Sequence, residues 1–266
     1  MAHAQDNYNA TGALDTTVTR TPAGGYVESG RGVQPNRSWE WISQGWRYFK
    51  RQPAIWVILT LIFGAFLIGL KYVPVIGPLA TILLVPVLVG GLVAGCEAIE
   101  RGGELELAHL FAGFRRNTGQ LVLVGLIGFA LTFVITIPAV LLMGPATFMS
   151  VMGGGVSPAV GLAALIGMLI ALALFVPVNM ALWFAPALVM LQQQSAPRAI
   201  AESFRGCLKN IVPFLLYGVV LFVLALLASI PFGLGWLVLA PVIFGSLYAA
   251  YRDIFLSAPV SLPLST

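Results

Sequence analysis

Charge is what this sequence has least of. Of 266 residues, 9% are Asp, Glu, Lys or Arg, while 59% are apolar. A soluble domain carries roughly 25% charged residues to cover its wet surface, so a soluble globular fold is excluded. Two cysteines exclude a disulfide scaffold, and the apolar content excludes disorder of the whole chain. Catalytic signatures are missing too: His-Glu-x-x-His, Gly-x-Ser-x-Gly, a P-loop and Cys-x-x-Cys are all absent. No ionisable residue lies in the core of any long apolar run, which argues against a proton-coupled pump or a charged channel filter.

What is there is length of apolar run. A helix needs about 20 apolar residues to cross the hydrocarbon, and six stretches qualify: 53–70, 78–98, 120–143, 159–191, 211–230 and 233–251. They are apolar on all sides, unlike the alternating strands of a barrel, so the fold class is all-α, a polytopic membrane protein. The fourth stretch is too long for one straight crossing and contains Pro177 and Pro186, which predicts a kinked or tilted helix that protrudes. Of the 14 Lys and Arg residues, all but Lys71 lie in the N-terminal segment, the second and fourth connections or the C-terminal end. Positive-inside logic places those regions, and both termini, on the cytoplasmic side of the membrane. Trp39, Trp41, Trp46, Tyr48 and Tyr251 fall at the same predicted interface.

Residues 1–36 are rich in Gly, Thr, Ala and Asn and read as a disordered cytoplasmic tail, with the membrane domain over 37–256 and a short tail over 257–266. The tail has no apolar run of signal-peptide type. The glycosylation sequons at Asn9 and Asn36 are chance matches on the cytoplasmic side. The isoelectric point near 9.3 reflects the basic cytoplasmic face and contact with anionic lipid, and needs no nucleic acid.

The spans repeat. Ile42-x3-Trp46-x2-Phe49-x-Arg51-Gln52 aligns without gaps with Leu107-x3-Phe111-x2-Phe114-x-Arg116-Asn117 and Ile200-x3-Phe204-x2-Cys207-x-Lys209-Asn210. Apolar residues at i, i+4 and i+7 share one helical face, and such a helix lies in the interface with its bases near phosphate. The Pro86–Ile99 and Pro241–Ile254 segments align as well, at six identities in 14 positions. The expectation is three helical hairpins, over about 38–101, 102–194 and 195–256, each preceded by an interfacial amphipathic helix and related by an axis along the membrane normal.

The bases of those helices, Arg47, Lys50, Arg51, Arg115, Arg116, Arg205 and Lys209, are candidates to face phospholipid of anionic charge or an acidic partner. Asn179 is the most polar intramembrane residue; it can cap a carbonyl freed by Pro177 or face a ligand. Small-residue pairs such as Gly91-x3-Gly95 and Gly245-x3-Ala249 permit close packing within the chain or a homodimer seam. Glu97, Glu100, Glu104, Glu106 and His109 read as a solvated loop cluster in preference to a metal site. The methionines at 143, 149 and 152 beside the Gly153–Gly155 run read as a flexible apolar loop in preference to a Cu(I) site. No cofactor is expected.

Three segments carry a family likeness: His109-Leu-Phe-Ala-Gly-Phe114, Ser203-Phe-Arg-Gly-Cys-Leu-Lys-Asn210 with Pro213-Phe214, and Gly245-Ser-Leu-Tyr-Ala-Ala-Tyr-Arg-Asp-Ile-Phe255. Over 37–255 the chain resembles a family of six-helix, mainly proteobacterial inner-membrane proteins with no assigned activity. More distantly it is similar to the membrane domain attached to some glycerophosphodiester phosphodiesterases, which carries no catalytic residues. The resemblance implies no enzyme and transfers no site. The function expected is a non-enzymatic accessory, scaffold or lipid-organising subunit, alone or in a larger membrane complex. The alternative is a carrier or pore for an uncharged or amphipathic solute, using Thr60, Thr132, Thr136 and Asn179.

Overall fold

The structure, a computed structural model, describes residues 25–153 and 158–257. These residues form ten α-helices: α1 Arg37–Arg51, α2 Pro53–Lys71, α3 Ile76–Glu100, α4 Leu107–Leu110, α5 Thr118–Met152, α6 Pro158–Trp183, α7 Ala185–Gln192, α8 Ala196–Leu208, α9 Ile211–Ser229 and α10 Trp236–Phe255. A 3-10 turn over Ala112–Phe114 follows α4. Among the described residues six helical segments are long and apolar enough to cross a membrane, namely α2, α3, the first part of α5, α6 with α7, α9 and α10. The chain is a polytopic membrane protein.

The fourth span breaks where its prolines predict a kink. Pro186 removes the N–H that would bond Leu182, and the helix parts at Phe184. Ser203 of α8 enters the gap: its hydroxyl accepts the Phe184 N–H at 3.0 Å and donates to the Met180 carbonyl at 2.7 Å. The interrupted pair is thus satisfied by one side chain. The helix of the third span runs past the expected end at 143, since α5 stays helical to Met152. The loop expected at the methionine cluster is therefore helix as far as Met152; Gly154, Gly155 and the side chains of Met143 and Met149 lie outside the described residues.

Each short helix lies against the span that precedes it in the chain, and α1, which no span precedes among the described residues, lies against the last. The chain α4–3-10 turn packs on α3, α8 on α6 and α7, and α1 on α10. Glycine makes two of these crossings possible. A Cβ on Gly91 would strike the carbonyls of His109 and Leu110, and one on Gly245 would come within 2.8 Å of Gly45 Cα. The small residues at 91, 95 and 245 thus pack inside the chain, whereas nothing lies within 4 Å of a Cβ at Gly64 or Gly69.

Side-chain amides fasten the same ring. Gln52 Oε1 accepts the Leu105 N–H at 2.6 Å, Gln120 Oε1 the Ala196 N–H at 2.8 Å, and Asn210 Oδ1 the Val33 N–H at 2.7 Å. Every one of these donors lies in the stretch that leads into, or opens, the next short helix.

Two sequence expectations are corrected here. Residues 25–36, assigned to a disordered tail over 1–36, form a strap across the end of α10. Val27 N–H bonds Phe255 O at 2.8 Å, Arg31 N–H bonds Ile254 O at 2.9 Å, and Tyr26 bridges Leu256. Gly and polar composition hid this because many of the strap's bonds run through its backbone. Second, the short helix before α5 is not one amphipathic helix but a four-residue helix and a 3-10 turn.

Candidate functional site

Most buried side chains lie near the end of the bundle that carries α1, α8 and the termini of α3 and α10. The faces that α1 and α8 turn inward carry Ser38, Trp41, Ile42, Gly45, Tyr48 and Phe49 on α1, and Ala196, Ala199, Glu202, Ser203, Gly206 and Cys207 on α8. Trp46 and Phe111 remain exposed and Phe204 is half-buried. Trp41 and Tyr251, expected at the interface, are instead fully buried, with Trp41 Nε1 donating to Asp253 Oδ2 at 3.0 Å.

With α1 seated on α10, its last turn brings Arg47, Lys50 and Arg51 beside Arg252. Together with Gln44, Tyr48 and Glu100 they line an open cavity of about 600 Å³. Four cations face one carboxylate. Glu100 orients the site: Oε1 pairs with Arg252 Nη1 at 2.5 Å, and Oε2 accepts the Tyr48 hydroxyl at 2.6 Å. Burial and the adjoining Glu100 carboxylate push the Tyr48 phenol above its usual pKa, so it stays a donor. Arg51 is partly spent, because Nη1 donates to the Ile99 carbonyl at 2.9 Å, near the end of α3. Lys50 sits 6.0 Å from the Trp46 ring centre, and no ion pair engages Lys50 or Arg47 among the described residues.

The other candidate bases do not join this site. Arg115 and Arg116 follow the 3-10 turn and are exposed, as is Arg205 in the last turn of α8. Lys209 donates from Nζ to Gly30 O at 2.8 Å and so holds the strap. The acidic cluster at 97–109 is divided among structural tasks: Glu97 pairs with Arg101, Glu100 with Arg252, and Glu106 and His109 cap α4 reciprocally. Among the described residues no three His, Cys, Asp or Glu side chains converge as metal ligands.

Asn179 is elsewhere. It lines a second cavity, about 670 Å³, bounded by α3, α5, the α6–α7 break and α10. Its Nδ2 donates to Phe175 O at 2.9 Å, one turn back; the carbonyl that Pro177 frees belongs to Ala173, so the amide does not cap it. Thr132 and Thr136 share this cavity, but Thr60 does not.

Sequence reading grouped three of the pocket's cations and missed Arg252, Glu100 and Tyr48. A signal existed: Arg252 ends the last span on the side that carries α1.

No family model matches the chain, and no solved structure matches it. Among curated proteins it is similar to a probable inner membrane protein of Burkholderia thailandensis. The two are 29% identical over 252 residues, which covers 84% of this chain and 92% of the relative.

Proposed function

We propose that this chain is a multi-pass protein of the bacterial inner membrane that catalyses nothing itself and acts as a lipid-organising accessory or scaffold subunit. It holds anionic phospholipid headgroups in the pocket of Arg47, Lys50, Arg51 and Arg252. That pocket carries the reading: four cations and one carboxylate line it, and two of the cations have no ion-pair partner among the described residues. A basic pocket at the cytoplasmic ends of spans suits phosphate-bearing headgroups. The inner-membrane assignment draws on the relative, a probable inner membrane protein, and on the six apolar segments.

The architecture supports the same view. Three units, each a short interfacial helix followed by a hairpin, close into a ring with both termini on the cytoplasmic side. The cyclic packing of α1, α4 and α8 and the amide latches at Gln52, Gln120 and Asn210 support this repeat. The exposed aromatics Trp46 and Phe111 then meet lipid beside the bases.

The test is lipid retention by the purified chain, read by native mass spectrometry after exchange into nanodiscs of mixed phosphatidylglycerol and phosphatidylcholine. Each base near an anionic surface is worth about 1 kcal/mol before screening. The double variant Arg47→Gln/Lys50→Gln should therefore lower phosphatidylglycerol retention roughly tenfold. Equal retention by the variant, or no preference for phosphatidylglycerol in the native chain, would refute the proposal.

A further inference from the structure

The cavity beside Asn179 is a feature that the basic pocket leaves unexplained. It lies among the second spans of all three hairpins: Thr81, Val85 and Val89 come from α3, Asn179 and Leu182 from α6, and Ile243 and Leu247 from α10. Gly125, Gly128 and Phe133 of α5 complete the wall. At the basic end the bundle is filled by Leu88, Leu92, Leu188, Tyr251 and Phe255, all buried. The cavity is therefore a blind pocket, not a channel.

Among the described residues no charged side chain lines it. In a medium without water, an ion would leave its counter-charge unmet at a prohibitive cost, so the occupant is uncharged. The lining is nonetheless not wholly inert. Thr81 and Thr136 spend their hydroxyls on carbonyls one turn back, Gly77 O at 2.9 Å and Thr132 O at 2.8 Å. Two lining groups are different. Asn179 sends one N–H to Phe175, while among the described residues its Oδ1 and second N–H take no partner; the buried Trp183 Nε1, which also lines the cavity, has no partner either. The residue sits near the middle of the Ala164–Gln192 span, where an unmet amide is costly.

We infer that this cavity binds an uncharged amphipathic molecule drawn from the bilayer, its hydroxyl or carbonyl on the Asn179 amide and its apolar body along α3, α5 and α10. An amide with a free donor and a free acceptor recognises either group. The faces of Val85, Val89, Phe129 and Phe133 supply the apolar complement.

The experiment uses two photoreactive probes of equal length, a diazirine-bearing dodecanol and the matching diazirine alkane. The full chain sits in nanodiscs of phosphatidylcholine alone, so anionic headgroups play no part. The alcohol should label the cavity walls on α3 and α5 saturably, at roughly tenfold lower concentration than the alkane, the scale of one buried hydrogen bond. Asn179→Leu should bring the alcohol down to the alkane. Thr132→Phe, which narrows the cavity but keeps the amide, should weaken both probes alike. Equal labelling by the two probes, or an alcohol preference that survives Asn179→Leu, would overturn the inference. So would label spread over the exposed faces of α2 and α9, or a dimer of the chain that excludes both probes.

Discussion

Gly45 and Gly245 meet where α1 crosses α10, and neither has room for a methyl group. A Cβ on Gly45 would press on the Val242 carbonyl and stand 2.8 Å from Ser246 N. Both obstacles are backbone, which cannot swing aside, so Gly45→Ala should destabilise the fold by about 1–3 kcal/mol. At Gly64 the space is open, and Gly64→Ala should be neutral or gain up to about 1 kcal/mol from helix propensity. Thermal unfolding in one detergent compares the pair; equal midpoints would contradict the tight crossing. Cys207 gives a second residue-scale prediction. Burial pushes its thiol up to about 12, an effect that the Ser203 hydrogen bond only partly offsets. The folded pKa is raised, so the stability it lends is complete below the ordinary thiol value of about 8.5 and is lost as pH rises towards 12. At about pH 8 maleimide should modify Cys207 slowly in the native chain and quickly once the chain is unfolded. Fast native labelling would show that α8 opens.

At the scale of elements, Asn210 ties the strap over residues 25–36 to the start of α9, beside the bonds that the strap makes to Lys209 and to the α10 carbonyls. Asn210 is fully buried; it accepts the Val33 N–H and donates to Arg31 O at 2.9 Å and Gly206 O at 2.8 Å. Asn210→Ala removes all three bonds and leaves Val33 N–H and Arg31 O without that partner. Trypsin cleavage after Arg31 should then accelerate roughly tenfold, a cost in line with unmet buried polar groups, while α9 and α10 stay intact. Cleavage at the native rate would mean that the strap is held elsewhere. The sequence alignment set Gln52, Asn117 and Asn210 at one equivalent position, but offered no hint of the partners of Asn210. Local periodicity located the six spans because an apolar run long enough to cross lipid is a signal carried by consecutive residues. It misjudged α1, whose inward face is centred on Ser38, Gly45 and Tyr48 as much as on Ile42 and Phe49. Small residues mark that face because close backbone approach, not bulk, sets the packing. The strap was illegible for a related reason: backbone hydrogen bonds to α10 leave no imprint on side-chain composition.

At the scale of the molecule, the basic pocket and the ring depend on one seam. Arg47, Lys50 and Arg51 belong to the first helix and Arg252 to the last, and only the contact of α1 with α10 unites them. Sequence separation conceals such a pairing, so three of the cations could be grouped from a helix and the fourth could not. The seam also constrains topology. The strap binds Phe255 O and Ile254 O, so residues 25–36 and the end of α10 must lie on the same side of the membrane. Phe232, in the turn between α9 and α10, is fully exposed and lies one span away, at the opposite end of α10. If the basic end is cytoplasmic, Glu28→Cys should react with a membrane-impermeant maleimide only after the inner membrane is opened. Phe232→Cys should react in cells whose outer membrane alone is permeable. Both labels reversed would invert the orientation but keep the ring. Both labels on one side would break it, because α10 would then not cross, and the pocket of four cations would have no membrane surface to face.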